Sequence, residues 1–248
     1  VESLPTFSVV DYGADPTGQE DATAAFQSAI EAAENGGLVW VPEGDYRMDG
    51  LLRIEESDVV LAGEGPDKSR LWFSKNTAMT DQSSILFKGT IVQGTEVVLE
   101  EDGVQRSNTV ALEGSASLEV GQEVALGWVI TDAFVAEHGM SDYWSVFNGQ
   151  WVPFFRRQIT TIEGNQASLD VPSRYPSKLR DSASLRVENG YISECGIQDI
   201  AVSNAVERSD ALLFDRAHAI QFEGVKDCWM KNVHSFAPDG YTEHLQSG

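Results

Sequence analysis

The stretch VVDYGADPTGQEDATAAFQSAIEAAENGGLVWVPEGDYRM, Val9 to Met48, predicts a loop, a helix and a strand in succession. Its loop, residues 11–18, holds two Gly and a Pro within eight residues, a density typical of turns. Apolar residues then recur at spacings of three and four over residues 22–33, the period of a helix with one buried stripe. Asp21 is placed to cap this helix, and Asn-Gly-Gly at 35–37 supplies the left-handed residue that ends it.

A wholly apolar strand, residues 38–41, follows the helix and is closed by Pro42 and a Glu-Gly-Asp turn. One short Ala-rich helix followed by short strands is an unusual plan for a chain of 248 residues. It is explained if the helix is a lid. A stack of strands leaves an open end whose backbone groups would template aggregation, and a helix with a small-residue face can cover that end.

These residues resemble the N-terminal cap of the pectate-lyase-like superfamily. The resemblance lies in DYGADPTG (11–18), EDATAAFQSAIEAA (20–33), GGLVWVP (36–42) and EGDYRM (43–48). It implies an all-β fold, a right-handed parallel β-helix with an N-terminal capping α-helix. Polysaccharide lyases, some glycoside hydrolases and phage tailspike depolymerases open in this way, so the resemblance implies a carbohydrate-active protein without choosing its reaction.

Composition and charge narrow the classes of partner. The hydrophobic content of 42% is ample for a core, and no apolar run is long enough for a membrane-spanning helix. The net charge of −22 argues against nucleic acid or an anionic membrane as partner. The charge is uneven: residues 1–155 carry 7 basic and 26 acidic side chains (net −19), and residues 156–231 carry 10 and 11 (net −1). A polyanionic sugar would therefore favour the second region.

Three domains are predicted along the chain. Residues 1–94 hold the cap and the first coils, with short strands at 59–65, 69–73 and 84–89. Residues 95–182 alternate apolar and polar positions and include a hairpin at 163–169, which predicts an inserted antiparallel β-rich module. Residues 183–248 resume the coil pattern from Leu185. The last residues show no capping helix, so we expect coils to continue beyond the chain.

The insertion carries seven aromatic residues within 24 positions, Phe134, Tyr143, Trp144, Phe147, Trp151, Phe154 and Phe155. An irregular cluster of this kind is typical of a satellite core beneath a long loop. The alternative is a sugar-stacking wall, in which flat rings cover pyranose faces. For that alternative the predicted substrate-binding residues are Tyr143, Trp144, Trp151 and, near the end of the chain, Tyr241.

An internal match indicates the register of the later coils. Residues 194–202 (ECGIQDIAV) align with 227–235 (DCWMKNVHS) at a spacing of 33. Equal positions of successive turns stack about 4.8 Å apart, so Cys195 and Cys228 are predicted to be neighbours, as are Asp199 and Asn232. This separation permits a disulfide, and two stacked buried thiols fit it equally well.

Two chemistries suit the implied fold. β-Elimination on a uronate needs a base for the proton next to the carboxylate and a cation for the developing charge. Hydrolysis needs two carboxyl groups about 5–9.5 Å apart. The candidate carboxylates for hydrolysis are Asp210, Asp215 and Asp239. The first two are also typical of residues that cap turns. The predicted catalytic candidates cluster late in the chain: Arg216, His218, Lys231, His234, Asp239 and His244. Lys231 and His234 point to opposite sides of a regular strand, so they share a groove only if that strand bends.

The leading functional hypothesis is a secreted or periplasmic enzyme acting on an acidic polysaccharide, a lyase before a hydrolase. A phage tailspike, whose trimer would show in solution, and a non-catalytic glycan-binding module remain alternatives. The first residues show no signal peptide, which fits a cytosolic or a processed chain. No metal motif is present, although a Ca²⁺ bridging enzyme and substrate needs none. The oligomeric state is open.

Overall fold

The structure, a computed structural model, describes residues 4–144, 149–206, 210, 212–214 and 216–236. Its α-helices and strands are, in chain order, β1 (Thr6–Ser8), α1 (Thr23–Ala32), β2 (Gly37–Val41), β3 (Gly44–Met48), β4 (Leu52–Ile54), β5 (Val59–Gly63), β6 (Ser69–Phe73), β7 (Ser83–Lys88), β8 (Val92–Val98), β9 (Thr109–Ala111), β10 (Glu123–Val129), α2 (Asp132–Glu137), β11 (Trp151–Glu163), β12 (Gln166–Leu169), β13 (Ser184–Asn189), β14 (Ile192–Ser193), β15 (Gly196–Asn204), β16 (His218–Glu223), β17 (Val225–Lys226) and β18 (Trp229–Ser235). They form two compact units, one within residues 1–90 and 191–248 and the other within 91–190. Among the described helices, none has the length and apolar character needed to cross a bilayer.

The first unit is a right-handed parallel β-helix, as predicted. Its first sheet contains β1, β2, β5 and the beginnings of β15 and β18. Its second sheet contains β3, β6 and the ends of β15 and β18. Its third sheet contains β4, β7 and β16. The turns β2–β4 and β5–β7 each contribute one strand to each sheet, and β15 and β18 run from the first sheet into the second.

Inward side chains of successive turns stack on one another to build the core. In the first sheet Val39, Leu61 and Ile197 occupy one register position, and all three are wholly buried. In the third sheet Phe87 stacks on Phe222, with ring centroids 4.5 Å apart and planes 9° from parallel. Strand neighbours lie about 4.8 Å apart, so apolar residues repeated at equal positions form continuous ladders.

The predicted spacing of 33 residues between the last two described turns is confirmed. Gly196 pairs with Trp229, and Ala201 pairs with His234. At the bend between these pairs, the Asn232 amide donates a hydrogen bond to the Asp199 carboxylate at 2.8 Å. Equivalent polar residues on neighbouring turns hydrogen-bond to each other, which stabilises this register.

Residues with left-handed backbone conformation mark the corners of the coil. A short side chain that bonds locally tolerates this conformation, and one such residue redirects a strand without a long loop. Three corners contain them at matching positions: Gly36, Asp58, Glu194 and Asp227; Asp199 and Asn232; Asp81 and Arg216. At the third corner Arg216 and Asp81 also form an ion pair at 2.7 Å.

Helix α1 covers the open end of the first turn, which confirms the predicted lid. Its buried face consists of Ala25, Phe26, Ala29 and Ile30, and these residues belong to the same core cluster as the strands. The Phe26 ring meets Tyr46 of β3 edge-on, with centroids 5.2 Å apart. The helix begins two residues after Asp21, whose carboxylate still accepts the Thr23 amide at 2.9 Å.

The loop before the helix is organised by one carboxylate, and this predicts an acid-sensitive step in unfolding. Asp15 accepts the backbone amides of Thr17, Gln19 and Glu20, each at 2.9 Å, and these bonds lower its pKa to about 2. A carboxyl group whose folded pKa is depressed stabilises the fold above its unfolded pKa, and this contribution is lost as pH falls through the folded value. We therefore expect the urea midpoint to fall between pH 4 and pH 2 with a smaller slope in Asp15→Asn than in the native chain. Equal slopes in the two proteins would contradict this role.

The second unit is a six-stranded antiparallel sheet in the order β8-β13-β10-β11-β12-β9. An antiparallel bridge between Leu99 and Leu112 joins the two outer edges, so the sheet closes into a small barrel. The predicted hairpin is present, with Glu163 opposite Gln166. Strand β13 belongs to this sheet, so the coils resume at Ile192 and not at Leu185.

The barrel core extends into the aromatic stretch. Trp128 is wholly buried and stacks on Phe154, with centroids 4.1 Å apart and planes 6° from parallel. Phe134, Trp144 and Phe155 pack around the same cluster, which favours the satellite-core interpretation for these rings. Helix α2, which carries Phe134, was not predicted, because six residues are too few to show a helical period.

Candidate functional site

The outward side chains of the second sheet form the most highly charged strand face of the β-helix, here called the second-sheet surface. Alternate residues of each strand point outward and align with their neighbours in parallel rows. One row contains Asp45, Arg70, Ala201 and His234, and the next contains Arg47, Trp72 and Ser203. Four turns of the chain thus bring residues 45 to 234 onto one surface.

Arg70 is the cation at the centre of this surface. Its guanidinium donates to both carboxylate oxygens of Asp45, at 2.5 and 2.6 Å, and lies 5.3 Å from the centroid of the Phe236 ring. A second group lies beside it, where Arg47 pairs with Asp49, which also accepts the Ser74 hydroxyl at 2.6 Å. These contacts orient the Arg70 side chain while leaving about a third of it exposed.

Ala201 lies between Arg70 and His234 along their row, and its side chain is only 1% exposed. Two rungs of about 4.8 Å place the backbones of Arg70 and His234 roughly 10 Å apart. The His234 side chain is exposed. The arrangement supplies the cation and the base that proton abstraction beside a carboxylate needs.

Arginines hold two carboxylates of the second-sheet surface, since Asp45 pairs with Arg70 and Asp49 pairs with Arg47. Asp21 lies beside the same surface: it bridges to Arg47, and its carboxylate accepts the Asp49 amide at 3.0 Å. Glycoside hydrolysis uses carboxyl groups about 5–9.5 Å apart. This surface therefore offers carboxylates as well as a cation and a base.

The outward side chains of the first sheet form a less polar face, here called the first-sheet surface: Leu38, Trp40, Val60, Ala62, Gly196, Gln198, Trp229 and Lys231. A Cβ added to Gly196 would lie 2.3 Å from Cε2 of Trp229 and 2.6–2.7 Å from Nε1 and Cδ2. These three short distances place the added Cβ directly above the ring, so the indole lies face-on over Gly196. Lys231 and Gln198 lie beside it at adjoining positions.

The predicted catalytic residues are divided among separate faces. Lys231 lies on the first-sheet surface and His234 on the second, because the strand bends at Asn232, where φ is 50°. His218 pairs with Ser83 at the start of the third sheet, and Arg216 is paired with Asp81 at a corner. Asp239, Tyr241 and His244, with Phe147 and Asp215, lie outside the described residues.

The predicted sugar-binding aromatics of the insertion lie in the second unit. Trp144 packs on Phe134, and Trp151 is covered by the Arg186 guanidinium at 4.0 Å from its centroid. Tyr143 is 83% exposed. Their role in binding sugar stays a prediction.

Sequence reasoning missed Arg70, Trp72 and Trp229. Arg70 and Trp72 reach the site through the 25-residue offset between β3 and β6, where Asp45 pairs with Arg70. That offset could have been read by aligning 44–48 with 69–73, which share an alternation of polar and apolar positions. Among the described residues, no group of three or more His, Cys, Asp or Glu is arranged to hold a metal ion.

Comparison with known families supports the resemblance. Residues 6–115 match the family model described as rhamnogalacturonase A/epimerase, pectate lyase-like. This match supports a place in the pectate-lyase-like superfamily. The match covers the cap, the first two turns and the beginning of the barrel. The similarity therefore lies in the N-terminal part of the chain.

Curated relatives match 24–41% of the chain. Mannuronan C5-epimerase AlgE3 of Azotobacter vinelandii is 44% identical over 68 residues, 24% of this chain and 4% of the relative. Alginate lyase 7 of the same organism is 41% identical over 68 residues, 24% of this chain and 8% of the relative. Rhamnogalacturonase A of Aspergillus niger is 30% identical over 105 residues, 40% of this chain and 23% of the relative. The pectate-lyase-like chain thus matches less than a quarter of each relative's length.

Solved structures share the fold over nearly the whole chain. The tailspike of Pseudomonas phage phi297 aligns with a TM-score of 0.66 at 15% identity, covering 94% of this chain and 38% of that one. The tailspike of Acinetobacter baumannii bacteriophage AP22, solved with a capsular saccharide, aligns with a TM-score of 0.53 at 11% identity, covering 94% and 37%. At these identities the likeness establishes the β-helix fold of the pectate-lyase-like chain and nothing of its chemistry.

Proposed function

We propose that this pectate-lyase-like chain acts on an acidic polysaccharide by removing the proton beside a uronate carboxylate. The second-sheet surface carries this reaction, with His234 as the base and Arg70 as the cation that holds the carboxylate. The single observation behind the proposal is the outward row in which Arg70 and His234 flank the small Ala201. The relatives that are named as a lyase and as epimerases fit a reaction at a uronate.

The proposed proton abstraction can lead to two products. His234 takes the proton from C5, and the electron pair moves toward the carboxylate, where the guanidinium of Arg70 stabilises the charge. In β-elimination the pair then forms a C4–C5 double bond as the bond from C4 to the bridging oxygen breaks, and the leaving oxygen takes a proton from water. In epimerisation a proton returns to C5 from the opposite face. We propose elimination as the outcome, with epimerisation as the variant that shares the first step.

The first-sheet surface is proposed to bind a neighbouring part of the same polymer. The exposed side of the Trp229 indole can cover a pyranose face, and Lys231 can pair with a carboxylate. We expect Trp229→Ala to raise KM roughly 2- to 12-fold with little change in kcat, because an aromatic stacking contact contributes about 0.5–1.5 kcal/mol. Trp229→Phe should retain most of the affinity.

Gly196→Ala provides a matched test of that surface. The added methyl group would displace the indole, because its position lies within 2.7 Å of three ring atoms. Its KM should rise as in Trp229→Ala while the chain keeps its native circular dichroism. A KM unchanged in both variants would remove this surface from substrate binding.

The reaction class is tested with a panel of uronate polymers and the natural protein. Ultraviolet absorbance of unsaturated products, new reducing ends and sugar composition are followed together. Absorbance that rises with new ends indicates elimination, altered composition without new ends indicates epimerisation, and new ends without absorbance indicate hydrolysis. The last result, or no reaction on any uronate, would overturn the proposal. Because its substrate would be a polymer outside the cell, we propose a secreted or periplasmic location.

A phage tailspike function is the second candidate. It is supported by the alignment with two tailspikes, one of them solved with a capsular saccharide, over 94% of this chain. A tailspike is expected to form a trimer and to degrade or bind a capsular polysaccharide. Light scattering coupled to size-exclusion chromatography separates a threefold mass from a monomer. A monomer would remove this candidate and leave the primary proposal in place.

A further inference from the structure

Two stacked thiols lie at the seam between the last two described turns, directly before the first-sheet residues Gly196 and Trp229. Cys195 precedes β15 and Cys228 precedes β18, and their following residues, Gly196 and Trp229, are register partners. The Trp229 amide also donates to the Cys195 carbonyl at 3.0 Å, which fixes the rung at this position. Neighbouring rungs lie about 4.8 Å apart, within the range of Cα separations of about 4.4–6.8 Å that a disulfide spans.

The backbone directs both side chains the same way. The residues just before them, Glu194 and Asp227, have φ of 54° and 52°, so both cysteines leave equivalent corners. Both are free thiols that contribute to the core cluster. In this state the single S–H of Cys195 can donate to the carbonyl of Glu56 or of Ser193, at 3.2 and 3.3 Å from Sγ, and Cys228 donates to the Lys226 carbonyl at 3.2 Å.

We propose that Cys195 and Cys228 form a reversible disulfide that joins the third and fourth turns of the β-helix. The oxidant is a small-molecule disulfide such as oxidised glutathione. The Cys228 thiolate attacks one of its sulfurs and releases one small thiol, which leaves a mixed disulfide on Cys228. The Cys195 thiolate then attacks the Cys228 sulfur and releases the second small thiol. Two protein thiols are oxidised, one small disulfide is reduced, and two protons are released.

The order of attack follows from exposure. Cys228 is half-buried and can meet an oxidant, whereas Cys195 is wholly buried. Burial raises the pKa of Cys195 to about 12, and the neighbouring Cys228 thiol adds to this. The thiolate is the attacking species, so closure of the bond should be the slow step and should accelerate about tenfold per pH unit below that pKa.

The bond should also be easily reduced. The rung spacing already lies within the Cα range of a disulfide, so the two turns need not move apart or together to close it. A bond that a small thiol can reach through the half-buried Cys228 is open to reduction. The seam leads directly into the segment that carries Trp229, Lys231 and His234. Oxidation would therefore hold that segment more firmly on β15.

Peptide mapping of the natural protein after incubation with oxidised glutathione tests the proposal. The expected product is a single cross-link between Cys195 and Cys228 that dithiothreitol removes, with closure faster at pH 9 than at pH 7. Cys195→Ser should accumulate one glutathione on Cys228, and Cys228→Ser should remain unmodified. Hydrogen exchange of residues 229–235 should slow in the oxidised protein.

Three results would overturn it. These are a stable glutathione adduct on Cys228 without closure, modification of Cys195 before Cys228, or no reaction of either thiol in the folded protein. None of these outcomes depends on an activity, so the inference fails or holds separately from the proposed reaction.

Discussion

His234→Ala is expected to lower kcat on a susceptible polyuronate by about 100-fold or more and to leave KM within about threefold. A positioned general base contributes roughly 10²–10⁴-fold to a proton transfer, and removing it spares the groups that bind substrate. Arg70→Gln should lower kcat by a comparable factor, because Arg70 is proposed to hold the charge that develops on the carboxylate. Arg70→Lys keeps the charge without the paired geometry, so its kcat should lie between those of the natural protein and Arg70→Gln. Initial rates by ultraviolet absorbance measure all three.

His218→Ala is the matched control for this experiment. It removes an imidazole from the third sheet, two residues before the Ile220–Ile85 pair, and this position belongs to no row of the second-sheet surface. It should leave kcat within about twofold of the natural protein. Equal losses in His218→Ala and His234→Ala would show a general effect of histidine loss and would remove His234 from its assigned role.

Phe26→Ala is expected to lower the free energy of unfolding of the β-helix by about 3–5 kcal/mol. The ring is wholly buried in the lid, and its removal leaves a cavity over Tyr46 and the first turn. Urea unfolding followed by hydrogen exchange resolves the two units. Peptides from residues 4–90 and 191–206 should lose protection at lower urea, because Phe26 belongs to their core cluster.

Ser28→Ala is the control within the same helix. Ser28 is exposed, and alanine has the higher helix propensity, so this variant should match or slightly exceed the natural stability. A loss of less than about 1 kcal/mol in Phe26→Ala would show that the lid does not seal the core.

The lid and the later register were predictable because each leaves a local signal. The three-four spacing over residues 22–33 and the Asn-Gly-Gly stop define α1 within a few residues. The motif repeated around Cys195 and Cys228 predicted the 33-residue offset between the last two turns, because core positions recur with the same side-chain types. The hairpin at Gly164-Asn165 was predictable for the same reason, since its turn chemistry is local.

The candidate site was harder to predict because a coil gathers it from distant segments. Arg70 reaches the surface of His234 only because an intervening barrel returns the chain to pair β15 with β6. The bend at Asn232 then separates His234 from Lys231, which lie three residues apart in the sequence. The sequence predicted these two side chains on opposite sides of a regular strand. A left-handed asparagine within a strand leaves no periodic signal, so the bend that turns both outward on different sheets could not be predicted.

Release of label from a polyuronate deuterated at C5 tests the central claim most directly, because elimination and epimerisation both begin by breaking that bond. The natural protein should transfer deuterium from C5 to water at the rate of turnover, and His234→Ala should abolish the transfer. Cleavage of the polymer with all deuterium retained at C5 would contradict proton abstraction on the second-sheet surface.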